Sequence, residues 1–166
     1  MNRHYSIEEF SSICEQLKEA VPDITLTTDI IVGFPFETAV DHNMTMNLLK
    51  RLDFTIVHYS KYYVRPHTVA ASYPQIPSEV ANLRVKELSD WFKNKRCYDH
   101  LKMKEMEVWV SREIMNGRRC CHSKNYTKVL IDDGDYAFGD KLLVQCTDVS
   151  RFHVNGKVLK VVQKAN

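Results

Sequence analysis

Three stretches of this 166-residue chain hold residue types able to do chemistry. In Thr28-Asp29-Ile30-Ile31-Val32-Gly33-Phe34-Pro35-Phe36-Glu37-Thr38, a β-branched apolar run ends on a glycine and a proline. Ligands of open α/β sheets bind outside the carboxyl ends of strands. A glycine there lets a flat cofactor approach the backbone, and the bend beside it makes a wall. As physics alone, such a segment is more often an ordinary turn. In Tyr62-Tyr63-Val64-Arg65-Pro66-His67-Thr68-Val69-Ala70-Ala71, Arg65 carries a planar fork suited to a carboxylate or phosphate. The plain alternative is a solvated surface arginine. In the third stretch, Arg112, Arg118, Arg119, His122, Lys124 and Lys128 surround the pair Asn125-Tyr126. Basic side chains hold phosphates, and a tyrosine stacks on an unpaired base. Such a surface binds RNA with strong salt dependence and little sequence preference. The alternative is a solvated charged face. Cys120-Cys121-His122 resembles a metal motif, but adjacent residues of a strand point to opposite faces and do not easily share one ion. No metal ligand is assigned. No carboxylate pair, Ser-His-Asp or Cys-His arrangement stands out, so no catalytic residue is assigned either. His58 reads as a core histidine on a strand rather than a base.

Composition sets the class. The apolar and charged fractions, 44% and 27%, are those of a folded globular protein. No run of apolar residues is long enough to span a bilayer, and the N-terminus lacks the layout of a secretory signal. The five cysteines are an odd number at irregular spacing, which argues against a disulfide framework and for a reducing compartment. The expectation is a cytoplasmic protein without a membrane partner. Residues 1–103 carry 12 basic and 13 acidic groups, whereas residues 104–166 carry 11 and 8. The positive surplus therefore sits in the last third, which favours a polyanionic partner there.

The elements that must hold these residues follow from periodicity. Ser6-Ile7-Glu8-Glu9 is a capping box, and Ile7, Phe10, Cys14, Leu17 and Val21 recur at helical spacing behind it. Thr25 to Val32 reads as a strand buried on both faces, as in a parallel sheet. A second helix runs from about Thr38 to Arg51 with Val40, Met44, Leu48 and Leu52 on one face. A strand from Phe54 to Ser60, a proline-rich loop over 61–77 and a third helix follow. That helix uses Val80, Leu83, Leu88, Trp91 and Phe92 as its apolar side. The order is helix–strand–helix–strand–helix, an α/β pattern. Two parallel strands cannot close a barrel and leave a sheet edge bare, so part of the sheet is expected to be missing. The alternative is a small open sheet covered by the C-terminal module. From Lys104 onward the character changes to short strands: Glu107–Ser111, Thr127–Ile131, Leu142–Thr147 and Lys157–Val162. Turn pairs such as Asn116-Gly117 and Asn155-Gly156 separate them. This predicts a small antiparallel barrel of the oligonucleotide-binding kind, with Trp109, Phe138 and Phe152 in its core.

Met1-Asn2-Arg3-His4-Tyr5, the TDIIVGFP run, YVRPHTVAA, Pro77 to Arg84 and Tyr98-Asp99-His100 follow one another in a recognisable order. Together they resemble the tRNA methylthiotransferases of the radical S-adenosylmethionine class, in the branch acting on N6-threonylcarbamoyladenosine. TDIIVGFP is the specific part and the rest is supporting. The resemblance implies that residues 1–103 are the C-terminal portion of a partial (β/α) radical-SAM barrel. It implies that residues 104–166 are a TRAM domain, an RNA-binding β-barrel. By the same resemblance Gly33, Phe34 and Pro35 lie by the S-adenosylmethionine pocket, and Arg65 and Thr68 at the mouth of the last barrel strand. The implied partners are tRNA and the missing N-terminal part of the enzyme, in the same or a separate chain. By the resemblance Met1 matches an internal methionine of the family, which fits either a start codon assigned there by mistake or one used after a truncation.

The family's 4Fe–4S clusters are held by cysteines this chain lacks, among them a CxxxCxxC loop. The resemblance therefore implies a fragment inactive by itself. A stand-alone RNA-binding protein and an inactive remnant are the alternatives. The chain also departs from the family pattern. The family has glycine at Phe36 and His67 and proline at Val64 and Val69. Phe36 places a ring where the backbone was meant to pass closely, and His67 is expected to adopt a glycine-type conformation.

Overall fold

A computed structural model describes residues 3–21 and 24–165. They form two compact units, Met1–Asn94 and Lys95–Asn166. The second unit thus takes in the stretch before Lys104, and Tyr98 is buried in its core.

The first unit runs α1 (Ile7–Ala20), β1 (Thr27–Val32), α2 (Ala39–Leu52), β2 (Ile56–Lys61) and α3 (Ser78–Lys93). The capping box at α1 is present. The Ser6 hydroxyl accepts from the Glu9 N–H at 3.1 Å, and the Glu9 carboxylate accepts from the Ser6 N–H at 2.7 Å. Thr38 and Asp41 build the same device at α2, a Thr-x-x-Asp variant of the Ser/Thr-x-x-Glu pattern. β1 and β2 pair in parallel, Thr27 against Ile56 through Val32 against Lys61.

β1 is buried on one face only, where burial on both faces was expected. Thr27, Asp29 and Ile31 are exposed, as are His58 and Ser60 beside them on β2. His58 therefore lies on the open face and not in the core. The helices cover the other face, where Val32, Leu49, Phe54, Val57, Leu88 and Phe92 pack together.

The buried stripes of two helices differ from those the periodicity predicts. On α2, Val40 and Met44 are exposed, and His42, Met46, Leu49 and Leu52 are buried. The sequence offers two partial apolar stripes, and the winning one contains a histidine whose Nε2 lies 3.0 Å from the Glu87 carboxylate of α3. On α3, Leu83 is exposed, and Ala81 is buried where the chain comes closest to Gly33.

The second unit is a closed five-stranded barrel of β3 (Glu105–Met115), β4 (Arg118–Ser123), β5 (Lys128–Ile131), β6 (Lys141–Val149) and β7 (Val154–Gln163). Its order around the ring is β3-β4-β5-β7-β6. All neighbours are antiparallel except β5 and β7. Closure leaves no free sheet edge. The sequence pattern missed β4, because its Arg-Arg-Cys-Cys-His-Ser string does not alternate polar with apolar. Val108, Val110, Cys121, Val129, Leu142, Val144 and Val154 fill the interior. A Cβ on Gly156 would stand 2.9 Å from Val129 Cγ1, so only glycine lets β7 approach β5 this closely.

Three aromatics expected in this core are on the surface instead: Trp109, Phe138 and Phe152. Aliphatic residues and cysteines already fill the interior, and each of the three rings lies under a cation. Lys141 sits over Trp109, Arg112 over Phe138 and Arg151 over Phe152. Among the described residues no helix is long and apolar enough to cross a membrane.

Candidate functional site

At the carboxyl ends of the two parallel strands, the structure brings the TDIIVGFP loop and the YVRPHT loop side by side. The Tyr62 N–H donates to the Val32 carbonyl at 2.8 Å. The Phe34 ring meets Tyr62 edge-on, with centroids 5.1 Å apart. Gly33 and Pro35 are buried, and Arg65 and Thr68 are exposed. The Thr68 hydroxyl donates to the Arg65 carbonyl at 2.8 Å, so it shapes its own loop. Gly33 has φ +79°, and a Cβ on it would stand 2.8 Å from the Ala81 Cβ. The room this glycine leaves is therefore filled by α3.

Two residues that sequence reasoning did not single out hold the loop. The Glu37 carboxylate accepts from the Gly33 N–H at 2.8 Å and from Arg84 at 2.7 Å, and Arg84 also donates to the Glu37 carbonyl at 3.0 Å. Both side chains are nearly buried, at 11% exposure for Arg84 and 13% for Glu37. The strand–turn–helix spacing pointed to a bend here, but no local pattern marks the pairing of Glu37 with α3.

Phe36 and His67 both occupy the left-handed region, at φ +68° and +64°. The glycine-type backbone was expected at His67, and Phe36 shares it. Phe36 is exposed, and its ring rests against Tyr73 at 5.0 Å between centroids. Left-handed backbone costs a residue with a Cβ about 1–2 kcal/mol, part of which glycine returns as extra freedom in the unfolded chain. Phe36→Gly and His67→Gly should therefore each raise stability by about 1 kcal/mol. Urea unfolding of the two single variants checks this, and unchanged midpoints would show that the strain is absent.

The basic cluster of the barrel is largely neutralised. Arg118 pairs with Asp132 at 3.0 Å and also donates to the Asn155 side-chain oxygen at 2.7 Å. Arg119 forks onto Asp133 at 2.9 and 3.1 Å and thereby holds that carboxyl below its usual range. Lys128 binds Glu113 at 2.8 Å, with the same effect on its partner. Asn125 accepts from the Ser123 and Thr127 hydroxyls and closes the β4–β5 turn. This presents Tyr126 at φ +65° with its ring in solvent. Lys124 is exposed beside it, and Arg112 lies against Phe138.

The cysteines do not fit an iron–sulfur cluster. Cys14 lies in the core of the first unit, and Cys121 and Cys146 in that of the second. Burial pushes the Cys121 thiol up to about 12, far from the thiolate a metal needs. Among the described residues no group of three or more His, Cys, Asp or Glu side chains is arranged to hold a metal.

No family model matches the chain. The threonylcarbamoyladenosine tRNA methylthiotransferase of Danio rerio is 35% identical over 161 residues, covering 96% of this chain and 29% of that protein. The Homo sapiens protein of the same name is 32% identical over 158 residues, 95% of this chain and 27% of that protein. A tRNA-2-methylthio-N(6)-dimethylallyladenosine synthase of Cereibacter sphaeroides is 33% identical over 150 residues, 89% of this chain and 34% of that protein. The chain spans roughly a third or less of the length of these relatives. Over nearly all of its own length, the chain is homologous to part of the threonylcarbamoyladenosine tRNA methylthiotransferases and of the dimethylallyladenosine-type synthases.

Proposed function

We propose that this chain is the C-terminal part of a radical S-adenosylmethionine tRNA methylthiotransferase. The whole enzyme would add a methylthio group to carbon 2 of N6-threonylcarbamoyladenosine beside the anticodon. The observation that carries the reading is the match across 96% of the chain, which runs through both units. In this reading the first unit is the end of a partial radical-SAM barrel. Gly33, Phe34, Pro35, Arg65 and Thr68 border its S-adenosylmethionine chamber. The iron–sulfur clusters, held by the remainder of the enzyme, would supply the electron and the sulfur. The second unit is a TRAM-like barrel that grips tRNA with Arg112, Arg118, Arg119, Lys124, Asn125, Tyr126 and Lys128. Its ring order, with one parallel pair, supports an oligonucleotide-binding topology, whose second and third strands present the ligand face. Here those strands are β4 and β5. A second reading, an RNA-binding protein with no catalysis of its own, shares this grip and is favoured by the scattered cysteines, of which Cys14, Cys120, Cys121 and Cys146 are buried.

Filter binding of an anticodon stem-loop RNA across a salt series tests the grip. About three phosphate contacts predict a slope near −3 for log affinity against log salt. Arg118→Ala with Arg119→Ala should weaken binding about tenfold at physiological salt. Asp132→Asn with Asp133→Asn should strengthen it by freeing the same arginines. Equal affinity in both double variants would remove this surface from the RNA site. Adding the remainder of the enzyme and assaying methylthio transfer then separates the two readings.

A further inference from the structure

On the outer face of the barrel, residues of four adjacent strands fall into one row. Trp109 of β3 is in register with Lys141 of β6 on one side and with His122 of β4 on the other. His122 is in turn in register with Lys128 of β5. Neighbouring strands lie about 4.8 Å apart, so the row is about 14 Å across. Its centre is aromatic and its ends are cationic.

The rings are open to solvent. Trp109 is 39% exposed and Tyr126, beside His122, is 80% exposed. The His122 and Tyr126 centroids are 5.4 Å apart, and Lys141 Nζ is 5.2 Å from the Trp109 ring centre. Burial and the nearby Lys128 hold the His122 imidazole below its usual pKa, so at neutral pH it is an uncharged flat ring. The core does not need these side chains, because Val108, Val110, Cys121 and Leu142 on the inner face are fully packed.

The charge pattern narrows the occupant. Each terminal lysine already has a carboxylate: Lys141 pairs with Glu107 at 2.7 Å and Lys128 with Glu113 at 2.8 Å. A face whose cations are balanced in this way draws a polyanion weakly through charge alone. What it offers in excess is π surface, which suits bases that have left a helix. A duplex hides its base faces and gains nothing here.

We propose that Trp109, His122 and Tyr126 form a stacking platform for unpaired bases of an RNA loop, with Lys141 and Lys128 meeting the flanking phosphates. This rests on the reading of the second unit as an RNA grip. It adds that the grip takes bases on β3, β4 and the β4–β5 turn, where charge counting had pointed to Arg118 and Arg119.

The chain contains two tryptophans, so the full chain carrying Trp91→Phe reports from Trp109 alone. Titration with an unstructured oligoadenylate should quench that emission, and a blunt RNA duplex of equal length should leave it unchanged. Trp109→Ala and Tyr126→Ala should each weaken oligoadenylate binding about tenfold, while Trp109→Phe keeps most of it. Tyr126 is 80% exposed, so Tyr126→Ala removes little packing, and an unchanged melting temperature of that variant separates its effect from misfolding. Oligoadenylate binding that neither quenches Trp109 nor responds to Tyr126→Ala would overturn the platform and leave the RNA reading intact. Absence of binding to oligoadenylate, duplex and anticodon stem-loop alike would overturn both.

Discussion

Arg84→Met is expected to destabilise the first unit by about 3 kcal/mol. Arg84 and Glu37 form a nearly buried pair, and the arginine also holds the Glu37 carbonyl. Breaking such a pair from one side leaves a carboxylate in a poorly solvated site with its countercharge gone. Methionine replaces most of the aliphatic volume, so the loss isolates the charge. The companion variant Glu37→Leu with Arg84→Met should recover most of the loss, because no uncompensated charge remains. About 1 kcal/mol should persist, since the Gly33 N–H then lacks the acceptor that Glu37 supplies. Urea unfolding, with hydrogen exchange at the Gly33 amide as the local reporter, measures both. A loss well under 1 kcal/mol for Arg84→Met would mean that the pair is solvated and that the loop is held by packing alone.

What was legible in the sequence is what is local. The Ser6–Glu9 box needs four consecutive residues to be recognised, and it stands as read. The parallel pair β1 and β2 follows from apolar runs separated by a helical period. The left-handed backbone at His67 was legible only by comparison with a family pattern, and that at Phe36 was not foreseen, since neither side chain announces it. What failed depends on contacts distant in the chain. Which stripe of α2 is buried was decided by Glu87, 45 positions after His42. The exposed face of β1 could not be read from Ile31 and Val32, because an apolar strand looks the same whether one face or both are covered. The fate of the barrel aromatics depended on ring closure, which filled the interior with smaller side chains before Trp109 was needed.

The same division runs through the candidate site. The basic residues are visible in the sequence, but their effective charge is not. Asp132 and Asp133 lie 14 positions from the arginines they neutralise and meet them only through the β4–β5 register. Six basic residues in one stretch therefore overstate the field that an RNA would feel. The aromatic row is invisible to a linear reading for the same reason, since its members come from four strands.

Gly33→Ala carries the other large effect, about 3 kcal/mol of lost stability, and its origin can be separated into two parts. A Cβ there meets the Ala81 Cβ at 2.8 Å, inside van der Waals contact, and helix α3 would have to move off β1 to admit it. Overpacking of this kind costs about 1–3 kcal/mol. The backbone at φ +79° adds about 1–2 kcal/mol for any residue with a side chain. Ala81→Gly alone should cost about 1 kcal/mol through helix propensity. If both parts act, the double variant Gly33→Ala with Ala81→Gly relieves the overlap and retains the strain. The two changes should then be non-additive by about 1 kcal/mol or more. Strict additivity in urea unfolding would show that α3 already yields at this contact. The glycine would then serve the turn by its conformation, and the space beside it would remain adjustable to whatever borders the strand ends.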